Sequence, residues 1–498
     1  NADPSKRFQQ ASDLLAAVII ELEGSRERAF GRKAAAKAVE VARELVREYE
    51  ALLDEVRQLT RETREFSFQV KGYHPIERKR QLWEMEDRFK ERDHDLAVAF
   101  HAAEHAFHQA RGYDANAEEA EAELLDFYYR RFLREEEDRG GGREYFAARV
   151  RSFGHPVYDA RMRGDGTIEV LTDPPGAEVE VMTFESQDRI LKAVSPRKIG
   201  ITPVKIDSPM GSYLLSLKAE GYETVLAPVQ VGRLEEVVQR SKLPKKGIVA
   251  PGFVYVPEGN YSQGGDFEAV RSEEEATVYV GAFAISRFPV TAGAYLEFLN
   301  EVWREDPARA ESLAPRDNNT AKGSWDGGGD RPYAFPVPER VGQGWDPNLP
   351  VVNTSWVSAS AYARWYGEKI GKPVRLPLGM EWEKAGRGVD GRPFPWGGYW
   401  DAGFCKNVGA TSSPPHPEPV GAYPHDISPY GVRDLAGGVH EWCEDWFSEA
   451  DVQRLARGGS WAGPTLACRL ASRYGFWPQS GHEALGFRRA YPIEEMVG

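Results

Sequence analysis

The sequence has few cysteines, three among 498 residues, at positions 405, 443 and 468. This number is odd and too small for a disulfide scaffold, which favours a reducing compartment. No apolar run approaches the ~20 residues that span a bilayer. The best candidate, residues 14–20, is ended by Glu21 and Glu23. These absences predict a cytoplasmic chain without a membrane segment.

Basic residues are also in deficit, with 63 Lys and Arg against 77 Asp and Glu, a formal net charge of −14. Nucleic-acid affinity comes largely from cationic side chains that neutralise phosphates, so nucleic acid is not expected as a partner. At the usual ~150 residues per domain, the length predicts about three domains. The chain opens at Asn1 without Met or a signal-like segment, so we expect a processed or excised piece of a larger protein.

The first third carries a helical pattern. Residues 33–66 contain no Pro or Gly, and their apolar residues recur at alternating steps of four and three. Such heptads predict a coiled coil. Gly72 and Pro75 interrupt the pattern, and a second apolar series resumes over 82–103. We therefore predict an α-helical hairpin over 23–160, through which the chain forms a homodimer.

Four histidines of this region share one helical face, because they are spaced 7, 4 and 3 residues apart: His94, His101, His105 and His108. With Glu104, the pattern includes H-x-x-E-H, in which two His ligands and a water-activating Glu serve zinc. A solvated or hairpin-buried polar stripe gives the same pattern. The sequence favours that interpretation, because no third-ligand motif accompanies the stripe.

Residues 1–22 resemble the segment that closes the C-lobe of bacterial Ser/Thr protein kinases, through Asp3-Pro4, Arg7-Phe8 and Ala11. The same residues also fit an ordinary capped helix, with Asp3 as the cap and Pro4 at the first helical position. The sequence contains no Gly-rich phosphate loop, H-R-D loop or D-F-G motif. The chain is therefore not predicted to be a kinase itself.

Residues 164–244 show short runs of period two bounded by turn residues, which predict a small β-sandwich. Three motifs in order resemble the PEGA domain: Asp173-Pro-Pro-Gly176, Gly200-Ile-Thr-Pro203 and Gly221-Tyr222. That resemblance implies a binding module of a bacterial surface protein or a multidomain signalling protein. Nothing in the module suggests catalysis.

Residues 247–493 resemble the formylglycine-generating enzyme (sulfatase-modifying factor) family. The resemblance rests on motifs in order, within 253–259, 285–291, 349–356, 375–388, 430–442, 457–461 and 486–488. It implies an α+β domain of the C-type-lectin-like fold, poor in regular secondary structure. Abundant Trp, Tyr and Gly suit such a loop-rich core, since rings supply buried area and Gly supplies turns.

The family's oxygenase activity needs two cysteines just after the Gly-Gly-Ser motif, which bind copper. Here residues 461–468 replace that stretch, with Gly463 where the first cysteine would stand and no room for the second. Cys468 matches a cysteine that is structural in non-oxygenase relatives. The resemblance thus implies no catalytic residue and no copper, and it favours a protein that is not an enzyme.

Calcium is the cofactor that the resemblance retains. Asp434, Glu441 and the carbonyls of Gly437 and Val439 match one calcium site of the family, and hard oxygen ligands in a tight loop suit that ion. Of a second site only Asn407 and Val408 match, with Glu418 as a stand-in for an aspartate. Alternatively, Asp434 and Glu441 hydrogen-bond the loop backbone.

The leading hypothesis is a non-catalytic recognition and regulatory region of a kinase-associated bacterial signalling protein. Its ligand would be a protein or peptide, or else a small molecule. Candidate contacts are an arginine and four aromatic residues: Trp461, Arg473, Tyr474, Phe476 and Trp477. The alternative is a metal-dependent oxidase or oxygenase with other ligands, such as the His stripe or Cys443 with His440.

Overall fold

The computed structural model describes residues 4–70, 74–114, 117–137, 141–316, 324–336, 345–411 and 415–493. The chain divides into two units, Asn1–Met162 and Arg163–Gly498. Among the described residues, no helix combines the length and apolar character needed to cross a bilayer. The Gly72 break predicted from the sequence lies outside the described residues.

The first unit is helical, as predicted. Its helices are α1 (Pro4–Gln69), α2 (Ile76–Tyr113), α3 (Glu118–Glu137), α4 (Arg143–Arg151) and α5 (Pro156–Arg163). Helix α1 continues through residue 22, where the sequence interpretation placed a domain boundary. Pro75 directly precedes α2, where its missing N–H leaves no helical bond unmade.

Helices α1 and α2 run antiparallel, because Val39 packs with Ala110 near one end and Glu55 pairs with Arg88 near the other. The core between them and α3 is aromatic. The Phe127 ring lies 5.4 Å from both the Tyr49 and Phe100 rings. In α1, buried side chains begin at Ala35. The predicted hairpin region is confirmed as helical. The coiled coil stays a prediction.

The second unit begins with a β module of two sheets. Its strands are β1 (Gly166–Asp173), β2 (Glu178–Gln187), β3 (Ile190–Ile201), β4 (Val204–Ser208), β5 (Gly211–Lys218), β6 (Val225–Val231) and β7 (Glu236–Lys242). The sheet orders are β4-β1-β7 and β3-β2-β5-β6. Strands β1 and β7 pair in parallel, with Val170 opposite Gln239. Inward-facing residues of both sheets form one core, which includes Ile168, Val179 and Leu215.

The rest of the unit is rich in loops. Its helices are α6 (Ala292–Glu305), α7 (Pro307–Leu313), α8 (Trp356–Ile370) and α9 (Gly379–Arg387). Its strands are β8 (Phe253–Val256), β9 (Gly259–Gln263), β10 (Ala276–Val280), β11 (Phe283–Ser286), β12 (Asp326–Gly328), β13 (Arg331–Ala334), β14 (His440–Ser448), β15 (Gln453–Arg457), β16 (Arg473–Phe476), β17 (Leu485–Phe487) and β18 (Ala490–Pro492). The sheet of order β16-β15-β14-β17 carries four candidate site residues: Glu441, Arg473, Tyr474 and Phe476.

The β module is joined to the loop-rich domain by its β2–β3 hairpin. Ile190 packs in one buried cluster with Phe394 and Trp396, and the Leu191 N–H donates to the Trp396 carbonyl at 2.7 Å. Because apolar burial and backbone bonding both cross this junction, the module forms part of the same folded unit.

Candidate functional site

Strand β14 presents its first four residues to two different environments. Successive side chains of a strand point to opposite faces, so His440 and Trp442 share one face while Glu441 and Cys443 share the other. Trp442 belongs to the cluster around α6 and α8, whereas Cys443 belongs to the cluster around α9. This alternation decides which residues can act together.

On the first face, His440 belongs to a group of four rings, which we call the aromatic surface: His440, Tyr474, Phe476 and His482. The His440 ring lies 4.5 Å from Tyr474 and 6.1 Å from Phe476, and Phe476 lies 6.5 Å from His482. Burial lowers the pKa of His440 to about 4. Its ring is therefore neutral near pH 7, with Nδ1 donating to the Gly458 carbonyl at 2.6 Å.

Three of the ligand contacts predicted from the sequence lie on strand β16, but they do not share one face. Tyr474 and Phe476 belong to the aromatic surface. Arg473 alternates with Tyr474 and points the other way, where its guanidinium lies 2.8 Å from the Glu273 carboxylate. The only charged residue of the predicted set therefore lies off the aromatic surface.

Trp461 lies beside the aromatic surface, and Trp477 is adjacent to its member Phe476 in the chain. The Trp461 indole donates to the Glu483 carbonyl at 3.1 Å, next to His482. Trp477 directly follows β16 and is 61% exposed. Sequence reasoning missed His440 and His482 as members of the surface. The sequence could have indicated only His440, because it lies two positions before a Trp in a strand pattern and so shares its face. The loop residue His482 has no such pattern.

The loop that replaces the family's cysteine pair is tightly turned. The Gly463 N–H donates to the Ser460 carbonyl at 2.9 Å. A Cβ at Gly463 would lie 3.2 Å from the Ala467 Cβ, so a larger side chain has little space there. Cys468 is fully buried, with Sγ 3.7 Å from the Pro464 carbonyl. The loop thus supplies one thiol, which solvent does not reach.

One metal set considered from the sequence, Cys443 with His440, is wrong. The two side chains lie on opposite faces of β14, and Cys443 is fully buried among residues such as Leu455 and Leu470. Sequence proximity suggested the pair, but three positions along a strand place side chains on different faces. They cannot ligate a common ion.

The His stripe lies on the exposed side of α2, where His94, His101, His105 and His108 all face solvent. Glu104 already has three partners: it accepts a hydrogen bond from the Tyr128 hydroxyl, and its carboxylate lies 3.3 Å from Arg149 and 3.5 Å from His101. It is therefore not free to serve as a water-activating base beside these histidines. Within the parts of the chain that the structure describes, no three His, Cys, Asp or Glu residues are arranged to hold a metal.

Several predicted calcium ligands line a cavity of about 20 Å³. Asp434, Gly437 and Val439 are among them, together with Asp426, which sequence reasoning missed because a loop residue has no periodic signal. Burial and their mutual repulsion raise the pKa of Asp426 to about 7, and burial raises that of Asp434 to about 6. Buried carboxyls beside backbone carbonyls are the oxygen set that a hard cation prefers, so these residues fit calcium.

Asp434 and the other predicted calcium ligands already have protein partners: the Asp434 carboxylate accepts the Gly421 N–H at 2.6 Å. The Glu441 carboxylate accepts both Nε and Nη2 of Arg488, at 2.5 and 2.7 Å. The Asn407 Oδ1 accepts the Gly409 N–H, and Val408 is 46% exposed. The Glu418 stand-in lies 2.8 Å from the Lys406 ammonium. The fit to calcium therefore rests on the Asp434 cavity.

Helix α9, behind the Glu441 face of β14, is anchored by a buried lysine. The Lys384 ammonium donates to the carbonyls of Pro257, Gly259 and Val280, at 2.7, 2.9 and 3.4 Å. No carboxylate in the described part of the chain bonds to it directly, and burial lowers its pKa to about 7. The lysine thereby ties α9 to strands β9 and β10 and to Pro257, which follows β8, at a cost that depends on pH.

We expect the stability of the wild-type chain to rise relative to Lys384→Met by about 2 kcal/mol between pH 7.0 and 8.5. The folded pKa lies below the unfolded value of 10.5, so in this window the unfolded chain binds the additional proton and rising pH favours folding. Urea unfolding at both pH values measures the difference. The exposed Lys246→Met should follow the wild type, and parallel curves for Lys384→Met and wild type would contradict the expectation.

Comparison with known proteins gives this architecture its family. The sulfatase-modifying factor enzyme 1-like domain matches residues 239–493, and the PEGA domain matches 193–246. A mouse protein, inactive C-alpha-formylglycine-generating enzyme 2, is 32% identical over 272 residues, which are 48% of this chain and 85% of that protein. The structure of PvdO from Pseudomonas aeruginosa is 24% identical, with a TM-score of 0.38, over 48% of this chain and 94% of that one.

Serine/threonine-protein kinase pkn1 of Chlamydia pneumoniae is 28% identical over 302 residues, which are 56% of this chain and 44% of the kinase. The chain thus spans less than half of that relative. Fold and site together define a loop-rich domain of the formylglycine-generating-enzyme type, preceded by a PEGA domain. The chain belongs to the family of the sulfatase-modifying factor enzyme 1-like domain.

Proposed function

We propose that this chain is a non-catalytic recognition and regulatory region of a kinase-type bacterial signalling protein. One observation carries the proposal: Gly463 and a single buried thiol stand where the family's oxygenases have a cysteine pair, next to a partly exposed aromatic surface. The similarity to an inactive formylglycine-generating enzyme supports the loss of catalysis. The similarity to pkn1 supports the signalling context.

The ligand that suits the aromatic surface is a protein or peptide segment with an apolar or aromatic side chain. The His440 ring of this surface is uncharged near pH 7. The Arg473 guanidinium pairs with the Glu273 carboxylate and does not face the surface. An anionic small molecule would lack a cationic partner there, whereas rings offer stacking and a large contact area. A small aromatic molecule is the alternative ligand.

The helical unit would supply self-association. Helix α1 carries exposed aliphatic side chains before its buried stretch, including Leu14, Leu15, Val18 and Ile19. A coiled-coil homodimer through this region would bury them and bring two recognition domains together. Light scattering after size exclusion tests this part of the proposal, with a monomer at micromolar concentration as the contrary result.

Recognition is tested with two exposed positions of the same region, Trp477→Ala and His482→Ala. Twelve-residue peptides selected from a random phage-displayed library on the wild-type chain should bind each variant at least tenfold more weakly. Tyr399→Ala removes an aromatic side chain that is 59% exposed elsewhere in the domain and should leave affinity unchanged. Equal losses in all three variants, or no peptide enrichment, would count against this surface.

Catalysis is tested separately with a cysteine-bearing sulfatase peptide. Incubated with the chain, copper and oxygen, the peptide should keep its thiol, as read by the mass of the product and by reaction with a hydrazide. An aldehyde product would overturn the proposal irrespective of the peptide-binding result.

Calcium is the cofactor we propose, held at Asp434 with the carbonyls of Gly437 and Val439. We expect 1 mM calcium to raise the Tm of the wild-type chain by several degrees, because ligand binding to the folded state alone stabilises it. Asp434→Asn should lose most of the increase, since it removes the charge that attracts the ion. Asp451→Asn, at a β14–β15 turn, serves as the control. An equal Tm with calcium and with EDTA would contradict this assignment.

A further inference from the structure

Two of the three cysteines form a buried dithiol. Cys405 and Cys468 are both fully buried and belong to one small cluster with Phe394, Trp396 and Ile190. The two thiols are close enough for Cys468 to contribute to the raised pKa of Cys405. They lie 63 positions apart in the sequence, so the fold alone brings them together.

Both thiols are held by defined backbone. Cys405 directly follows a short 3-10 turn, Ala402–Phe404, and the Asn407 side chain donates to its carbonyl at 2.9 Å. Cys468 ends a second turn, Thr465–Cys468. A Cβ on Gly459 would lie 2.8 Å from the Cys468 Sγ, so glycine is needed there to admit the sulfur. The two sulfurs therefore have little freedom to separate.

Cys443 provides an internal contrast. It is equally buried, but it packs in a different cluster, with Trp382, Leu455 and Leu470. Among the described residues, its thiol is the only one in that cluster. Its Sγ is 3.8 Å from the Glu441 carbonyl. The chain thus holds one paired and one isolated thiol environment.

We propose that Cys405 and Cys468 are a modification site, oxidised reversibly to an intramolecular disulfide by a hydroperoxide. One thiol, as its thiolate, attacks the peroxide oxygen and becomes a sulfenic acid, releasing one water from hydrogen peroxide. The second thiol attacks that sulfur, forms the S–S bond and releases the second water. Two thiols lose two electrons and two hydrogens, and the peroxide is reduced to two waters.

Burial sets the rate of this chemistry. Both thiols are fully buried, so a peroxide reaches them only when the surrounding loops open. Access is through the loop above Cys468, where Ala462, Pro464 and Leu466 are exposed. Oxidation should therefore take minutes to hours and report sustained oxidative conditions.

The disulfide would link two loops that matter for the candidate site. The Val408 N–H already donates to the Gly463 carbonyl at 3.2 Å, so the loops are in contact before oxidation. The bond would close a chain segment of about 60 residues and fix the loop that carries Trp461, which stabilises mainly by restricting the unfolded chain. We expect the oxidised chain to have a Tm several degrees higher than the reduced chain.

The test is oxidation of the full chain with hydrogen peroxide, followed by denaturation and alkylation with N-ethylmaleimide. The wild type should lose two mass units and accept one label instead of three. Digestion should give a linked pair of tryptic peptides, 388–406 with 458–469. Dithiothreitol should restore three labels. Cys443→Ser should form the same bond and accept no label.

Cys405→Ser is the matched variant, and it should accept two labels after the same treatment. Because the wild-type result needs no variant, a folding defect in Cys405→Ser would not remove the test. Three labels on the oxidised wild type, a bond that includes Cys443, or sulfinic acid at Cys468 without a linked peptide would each overturn the proposal. None of these readouts depends on the ligand proposed above.

Discussion

Replacing Arg488 with Met should lower the free energy of unfolding by about 4 kcal/mol. Arg488 and Glu441 are both fully buried, and the guanidinium holds both carboxylate oxygens. It also donates to backbone carbonyls of two other segments: Ser286 and Arg287, and Arg433 and Asp434. Met has a similar volume, so the loss would come from an unpaired buried carboxylate and unsatisfied carbonyls rather than from a cavity.

Urea unfolding followed by Trp fluorescence measures this loss. Arg304→Met, at an exposed position of α6, removes the same charge without a buried partner and should change stability by less than about 0.5 kcal/mol. The double variant Arg488→Met with Glu441→Met should recover part of the loss, because no charge is left unpaired. Equal stability of Arg488→Met and wild type would mean that the Trp382 indole, which donates to the Glu441 carboxylate at 2.7 Å, is enough to stabilise it without Arg488.

The substitution Ile190→Asp should destabilise the second unit by about 3 kcal/mol. Ile190 is 9% exposed at the tip of the β2–β3 hairpin and packs on Phe394 and Trp396. A carboxylate there would face apolar rings. Since the hairpin joins the PEGA domain to the loop-rich domain, both should lose stability together.

Two probes distinguish joint from separate unfolding. Trp fluorescence follows the loop-rich domain, where Trp396 lies, while hydrogen exchange of β5 amides follows the PEGA domain. Both transitions should shift to lower urea by the same amount. Ile201→Asp, at a position that is 61% exposed in the same strand, should shift neither. A shift of the β5 amides alone would show that the hairpin contact does not couple the two domains.

Much of the architecture was predictable because its signals are local. The heptad steps of residues 33–66 depend only on neighbours in the chain, and they predicted a helix that the structure extends to Pro4–Gln69. Strands β3 and β7 were not predicted. Both are terminal strands of their sheets with mainly exposed or half-exposed side chains, so their alternation is weak. In addition, β7 pairs in parallel with β1. Parallel strands are not joined by a tight turn, so no turn residues in the sequence mark this pairing.

The candidate site was predicted less completely, because its members come from separate loops and strands. Tyr474 and Phe476 were expected, and alternation along β16 then placed Arg473 elsewhere. His482 and Asp426 had no motif of their own. The role of a loop residue depends on which side chains pack against it in the folded chain. Its neighbours in the sequence do not show which side chains these are.

The order of the domains and the loss of the catalytic cysteine pair were determined by the sequence alone. Motif spacing and residue identity do not depend on the fold. Which side chains meet was decided only by the tertiary structure: Glu441 with Arg488, Lys384 with three carbonyls, and Cys405 with Cys468. Each of these contacts joins segments remote in sequence, and they are made because folding must pair every buried charge and polar group that it removes from water.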